Sequence, residues 1–483
     1  MSNKSTKHSV GSSVSWMLSA RITQALVQIV SSAWVARLLT PAEIGVFAVS
    51  YATLLVANGL RGLGVNQYLL QLDTFSTPHI RSGFTLVFCF GLTLCFLFNV
   101  AAGFIGDYYA QPAMAGMLHV LSLNFLLFPV QMILQTRASR ELAFAHLART
   151  EVIATALSAT LTVSLALLGF SFYALASGTV SFLIFTIVAL MPRYFRRADY
   201  GLQMTHIREA LDYGSWIAGS TFVTMAGQSL PDLIVGKSLG FTAAGLYDRA
   251  AAVNRMVWDQ LYSAIGTVLF STFATEKRSG QDLAHAYLHR LRGVADFLWP
   301  MLAWLVMFGD HAVVVLYGSQ WVAAGEPVRA LAFAAMASAP FFIAREMFFA
   351  LGKTRISFGV DLLVFVARAV TLIIAARYGI FIVALSLVVP NLLFTFVSQG
   401  LLIGLIHVRF SRLLAAVIPP LLMTVLYVGL MLILRTYLDD IWAISALAQL
   451  LISGLASLTL APILLYVTRS PLLISMKSFL KIN

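Results

Sequence analysis

Fourteen apolar stretches, each long enough to cross a bilayer, leave this chain almost no room for a water-soluble fold. They run approximately over 14–36, 42–61, 82–105, 113–136, 148–169, 171–191, 211–235, 241–265, 294–316, 328–351, 357–377, 379–404, 413–435 and 443–467. A spanning helix needs about 20 mostly apolar residues, and Gly, Pro or clusters of charge punctuate the joins. Only 11% of the 483 residues are charged and 59% are hydrophobic, whereas a soluble domain carries about 25% charged residues. The expected class is an all-α polytopic membrane protein with about 14 transmembrane helices.

The formal charge of +12 would suggest nucleic acid in a soluble protein. Here its distribution suggests orientation instead. Alternate connections hold 22 of the 32 basic residues, among them Arg61, Arg81, Arg137, Arg140, Arg149, Arg193, Arg196, Arg197 and Arg208. The other set holds Arg37, Lys237, Arg377 and Arg435. Basic loops stay cytoplasmic, so both termini are expected inside, with no nucleic-acid partner. Outer loops are short. The largest inner connection, 272–292, is amphipathic: Leu283, Tyr287 and Leu291 oppose Lys277, Arg278, Asp282 and Arg290. It is expected to lie on the inner membrane surface.

Residues 13–52 return without a gap at 213–252. Ser15, Trp16, Gln28, Val35, Leu39, Gly45 and Ala52 recur as Ser215, Trp216, Gln228, Val235, Leu239, Gly245 and Ala252. Two copies of one membrane unit suggest two lobes with a substrate site at the interface of the repeats, as in transporters. The expected division is an N-terminal lobe at 1–192, a cytoplasmic linker at 193–210, a C-terminal lobe at 211–404, and two extra helices with a cytoplasmic tail at 405–483.

Charged groups inside apolar spans cost at least a few kcal/mol and normally face a watery cavity or a partner. Arg21, Gln24 and Gln28 share one face of the first helix. Asp248, Arg249, Asn254, Arg255 and Asp259 lie on the eighth, Arg345 and Glu346 on the tenth, and Asp361 and Arg368 on the eleventh. The cavity reading nominates Arg21, Gln24, Gln28, Arg249, Arg255, Arg345 and Arg368 as ligands for an anionic headgroup. Arginine stays charged and grips phosphate through paired hydrogen bonds. Arg21 and Arg345 favour the cavity, lacking an opposite charge one turn away on their own helices apart from the differently directed Glu346. The alternative reading ties charges to one another, for instance Arg368 to Asp361. Asp232, Asp361 and Glu43 are candidates for ion coupling.

Other patterns carry less. Cys89 and Cys95 fall on different faces of one helix, so neither a disulfide nor a metal site is expected. Gly236-Lys237-Ser238 and Gly352-Lys353-Thr354 end like phosphate loops, but the required upstream glycine is Pro231 or Met347, so no nucleotide site and no cofactor follow. Asp282, His285 and His289 have ligand-like spacing that suits a solvated helix face better. Prolines 129, 300, 340, 390, 419, 420 and 462 mark possible bends.

The stretch LLTPAEIGVF at 38–47 resembles a hallmark of bacterial oligosaccharide flippases, the Wzx-like group of the multidrug/oligosaccharidyl-lipid/polysaccharide superfamily. RASRELAF at 137–144 is similar to the family's basic turn after helix four, and YGSQW at 317–321 to its outer turn after helix nine. The resemblance implies two six-helix lobes in a bacterial inner membrane. It implies a substrate of undecaprenyl diphosphate bearing a short oligosaccharide, moved to the periplasmic leaflet by alternating access for exopolysaccharide, capsule or O-antigen assembly. Cavity arginines would hold the diphosphate, and a polymerase or export machinery would be partners. It implies a transporter rather than an enzyme. A cation-coupled multidrug antiporter of the same superfamily is opposed by the intramembrane arginines, and a membrane-embedded polymerase or ligase by the lack of a sizeable external loop.

Overall fold

The computed structural model describes residues 3–441, 445–468 and 470, with side chains described outside 3–18, 257–268, 270–271 and 440–441. Asp259, Lys4, Lys7, Lys477 and Lys481 therefore lie outside the described side chains. The described residues form helices joined by turns and short loops, with no strand among them. Among the described residues ten helices are long and apolar enough to cross a membrane, or eleven if one pair bent by 51° counts as a span, against the fourteen crossings expected. The outside carries many large apolar side chains, unlike a soluble protein's, and the mostly apolar interior also encloses hydroxyl groups. Phe96, Phe104, Leu455 and Leu458 are each more than 60% exposed, while Ser50, Ser82, Thr186 and Ser398 are fully buried. An apolar exterior, with hydroxyl groups turned inward, is what a hydrocarbon solvent selects. The chain is a multi-pass membrane protein.

Two compact units divide it, Met1–Gly245 and Leu246–Asn483. The first holds α1 (Asn3–Leu38), α2 (Pro41–Arg61), α3 (Val65–Gln71), α4 (Thr77–Tyr108), α5 (Ala113–Arg140), α6 (Phe144–Leu167), α7 (Phe172–Tyr194) and α8 (Ile207–Leu239). Within it α4 packs on α5, α6 on α7 and α1, and α2 on α8. Small residues permit the close approaches. A Cβ on Gly91 would meet the Phe125 carbonyl oxygen at 2.5 Å, and one on Gly59 the Phe222 Cα at 2.6 Å.

A ninth helix, α9 (Phe241–Arg278), runs on into the second unit. That unit also holds α10 (Leu283–Tyr317), α11 (Gly325–Met336), α12 (Ile343–Ala350), α13 (Thr354–Ala375), α14 (Ile380–Ser386), α15 (Val388–Leu405), α16 (Phe410–Ile441) and α17 (Ala446–Val467). Helix α10 is its centre, packed against α11, α16 and α17. Pro340 lies in the bend that separates α11 from α12, and Pro390 lies just past the α14–α15 join. Pro129, Pro300 and Pro462 sit inside unbroken helices.

The 272–292 connection differs from its expected form. Its two ends are the last turns of α9 and the first turns of α10, reversed at Gly280, whose φ is +70°. Asp282 caps α10 by accepting from the Ala284 and His285 amides. Glu276 and Arg290 pair across the turn at 2.5 Å. Tyr287 and Leu291 are buried in the core, where the Tyr287 hydroxyl donates to Gln399 Oε1 at 2.9 Å. The apolar stripe packs on protein rather than lipid, because a stripe's period does not reveal what will cover it.

Candidate functional site

The start of α2 is built by its sequence. Thr40 is the N-cap, with its Oγ1 accepting from the Glu43 amide. Glu43 Oε2 accepts from the Thr40 amide at 2.8 Å, closing a capping box, and Pro41 takes the first helical position. This satisfies amides that would otherwise be orphaned. The other Glu43 oxygen accepts from the Ser171 hydroxyl at the head of α7. Glu43, entertained above as an ion-coupling group, thus has a capping duty. The second copy lacks these devices: Gly240, at φ +87°, stands for Thr40, and Ala243 for Glu43.

The repeated glycines meet. A Cβ on Gly45 would lie 1.8 Å from the Phe241 carbonyl oxygen, and one on Gly245 would lie 1.9 Å from that of Pro41. Phe241 is the repeat counterpart of Pro41, so the contact is reciprocal, as at a two-fold interface. Gly236, in the false phosphate loop, is also a packing residue: its Cβ would strike a Val49 methyl at 2.4 Å. Lys237 donates to the Tyr108 carbonyl and lies 4.0 Å from that ring's centre.

The nominated ligands of the first unit lie on α1. Arg21 and Gln28 are exposed, and Gln24 Nε2 donates to Glu151 Oε2 at 3.4 Å. Asp232 is buried on α8. In the second unit three of the four nominated arginines, Arg249, Arg255 and Arg345, pair with carboxylates. Asp248 takes Arg249 on one oxygen at 2.6 Å and Arg255 on the other at 3.0 Å. Arg345 pairs with Asp361 at 2.7 Å. The partner that helix spacing suggested for Asp361 was Arg368, two turns along α13; the partner found comes from α12. Arg368 lies half-buried on α13, with Tyr247 in its electrostatic surroundings.

Several charged groups find partners that helix spacing does not reveal. Arg61, counted as a loop charge, is half-buried at the end of α2 with its guanidinium 3.9 Å above the Phe128 ring. It forms no hydrogen bond or ion pair among the described residues. Arg137, in the basic turn, is buried and holds Asp199 with two parallel hydrogen bonds, the NH2 to Oδ1 bond at 2.5 Å. Asp199 lies in the connector between the repeats. Around it Arg81 donates to the Ala198 carbonyl, Tyr200 meets Phe84 edge-on, and the Gln203 amide donates to Thr85 Oγ1. The connector is therefore a seam packed along α4. Burial of its phenol, then the Asp199 charge, pushes the Tyr200 pKa well up. In the second unit Arg435 donates to Asp310 at 2.7 Å, and buried Asp296 accepts from Ser470 at 2.5 Å. None of these could be read from one helix alone, since each partner comes from another element.

This architecture has known relatives. The chain is 24% identical over 316 residues to the lipopolysaccharide biosynthesis protein WzxC of Escherichia coli (strain K12), covering 64% of this chain and 63% of the relative. It is 24% identical over 313 residues to the succinoglycan biosynthesis transport protein ExoT of Rhizobium meliloti (strain 1021), covering 64% and 62%. It is 20% identical over 326 residues to the teichuronic acid biosynthesis protein TuaB of Bacillus subtilis (strain 168), covering 65% of each. The matched region spans less than two thirds of these relatives. In fold the chain is similar to the lipid II flippase MurJ in an inward closed conformation, with a TM-score of 0.72 at 15% identity over 93% of this chain and 98% of that one. A multidrug resistance transporter of the MATE family, in the MOP superfamily, gives a TM-score of 0.64 at 15% identity over 80% and 95%. A family model described as polysaccharide biosynthesis protein matches residues 34–326. That match takes in the capping box, the glycine pair, the Arg137–Asp199 seam and the YGSQW turn, and the chain belongs to the polysaccharide biosynthesis protein family.

Proposed function

We propose that the protein moves a lipid-linked oligosaccharide, carried on a polyprenyl diphosphate, from the cytoplasmic to the periplasmic leaflet of a bacterial inner membrane. The observation that carries this reading is Arg61. A guanidinium set among apolar helices, resting on an aromatic face and with no carboxylate beside it among the described residues, has its donors available for a diphosphate. Exposed Arg21, on α1 of the same unit, is the second ligand we assign, with Gln24 and Gln28 for sugar hydroxyls. Arg249, Arg255 and Arg345 are assigned supporting roles, in which a headgroup competes with Asp248 or Asp361 for its arginine, and Arg368 on α13 is assigned a further supporting role. Asp232 and Asp361 are the groups proposed for ion coupling.

The names of the relatives support a polysaccharide pathway, and MurJ, a lipid II flippase, supports a fold able to do such work. We read fourteen crossings in two six-helix lobes, 1–192 and 211–404, joined by 193–210 and followed by two extra helices, with both termini cytoplasmic. The mechanism proposed is alternating access without chemistry on the substrate. Polymerase and export proteins are the expected partners.

The test is deletion of the gene in its host, followed by mass spectrometry of polyprenyl-diphosphate-linked sugars with leaflet accessibility. A complete oligosaccharide unit trapped on the cytoplasmic side is expected. Continued polymer synthesis with no trapped unit, together with new drug sensitivity, would favour an antiporter instead.

A further inference from the structure

We propose that His79, His206 and Glu209 form a binding site for a divalent transition-metal ion of zinc-like chemistry, at the seam between the start of α4 and the start of α8. Among the described residues these three groups offer one ligand atom each, all within 4.8 Å of one another. Two imidazoles and a carboxylate are a borderline donor set that suits zinc, cobalt or nickel rather than calcium or magnesium. Tetrahedral ligands about 2.0–2.1 Å from zinc lie about 3.3 Å apart, a closing-up that side-chain rotation can supply.

The local structure prepares the donors. His206 and Glu209 stand three apart across the first turn of α8, so both reach the same side. His206 Nδ1 lies 3.2 Å from Glu209 Oε1. The His79 and His206 rings stack with centroids 3.9 Å apart. Ser76 Oγ lies 2.7 Å from His79 Nδ1, which fixes that ring and leaves its Nε2 for an ion. The Tyr68 hydroxyl donates to Glu209 Oε2 at 3.1 Å, and Ser82 Oγ accepts from the His206 amide at 3.2 Å. Outer partners of this kind orient metal ligands. Both rings are half-buried and Glu209 is exposed, so an ion and a water ligand can enter.

Asp282, His285 and His289 make a contrast. Their spacing is as suggestive, but Asp282 is committed to capping the Ala284 and His285 amides. The His285 and His289 ring centroids are 6.1 Å apart.

The experiment uses full-length protein in detergent, purified without a histidine tag, stripped with EDTA, loaded with zinc chloride and freed of excess. Metal content is read by mass spectrometry and affinity by competition with a chelating dye. About one zinc per chain is expected. His79→Ala and His206→Ala should each lose it, and the double variant His285→Ala/His289→Ala should keep it. Glu209→Gln, which retains the shape and a hydrogen-bonding amide, should weaken binding about tenfold or more. Zinc content unchanged in His206→Ala and Glu209→Gln, or no zinc on loaded wild type, would overturn the proposal. Loss in the His285/His289 variant alone would do the same by placing the metal elsewhere.

Discussion

Gly45 and Gly245, two hundred residues apart, face each other so closely that neither has room for a methyl group: the carbonyl of Phe241 stands against one and that of Pro41 against the other. Backbone cannot retreat as a flexible side chain can. Gly45→Ala should therefore cost about 1–3 kcal/mol or more, the usual range for overpacking. Gly245→Ala should match it, and the double variant should cost less than the two combined, because one separation relieves both. Thermal unfolding in detergent, followed by tryptophan fluorescence, checks all three.

The buried pair of Arg137 and Asp199 makes a different prediction. Removing one partner strands a charge with its mate's side chain only 8% exposed or less. Asp199→Ala should destabilise by about 3–5 kcal/mol, while an apolar replacement of both partners should recover most of the loss. Limited proteolysis within 195–206 is the direct readout, since the single variant should be cut faster and the double variant should resist.

For Arg61 the expected effect is on transport. Arg61→Ala should reduce polymer export with protein level unchanged, and Arg61→Lys should restore only part, because an ammonium cannot reproduce paired hydrogen bonds. Arg21→Ala should behave likewise. Full export by both alanine variants would remove them from the site.

Arg345 calls for a double variant. Arg345→Ala alone should reduce export whether it binds substrate or merely neutralises Asp361. If the 2.7 Å pair is only a structural tie, Arg345→Ala/Asp361→Ala should export normally. A substrate role for Arg345, or the coupling role proposed for Asp361, predicts that the double variant stays defective, and the single variant Asp361→Asn, judged by the ion dependence of export, separates the two.

Capping sets the expectation for the other end of α2. Thr40→Ala should cost about 0.5–2 kcal/mol in stability. Glu43→Gln should lose part of the cap yet leave the ion dependence of transport unaltered. A changed ion dependence in Glu43→Gln would restore it as a coupling group.

What could be read in advance followed from the physics each signal carries. Apolar length is a property of contiguous residues, so within the described residues the expected crossings fall on helices, of which ten, or eleven with one bent pair, are long and apolar enough to cross a membrane. The glycine repeat was visible too, although its meaning, a mutual contact, needed three dimensions. Charges were harder. Helix spacing compares a residue with its own helix, so it tied Asp361 to Arg368 and left Arg345 without a mate; the true partner arrives from α12. Arg137 looked like a loop charge because its carboxylate is 62 residues away in the connector. Tyr287 and Leu291 show the matching limit for apolar residues, since lipid and protein select the same stripe.

The packed connector bears on how the chain is made. Its anchors, Arg81 and Thr85 on α4 and Arg137 on α5, precede it in the chain, so they are already synthesised when Asp199 and Tyr200 emerge. The joint between the repeats can thus lock while most of the second copy is still unmade. Later helices would then be added to a first unit whose exit segment is already held in place.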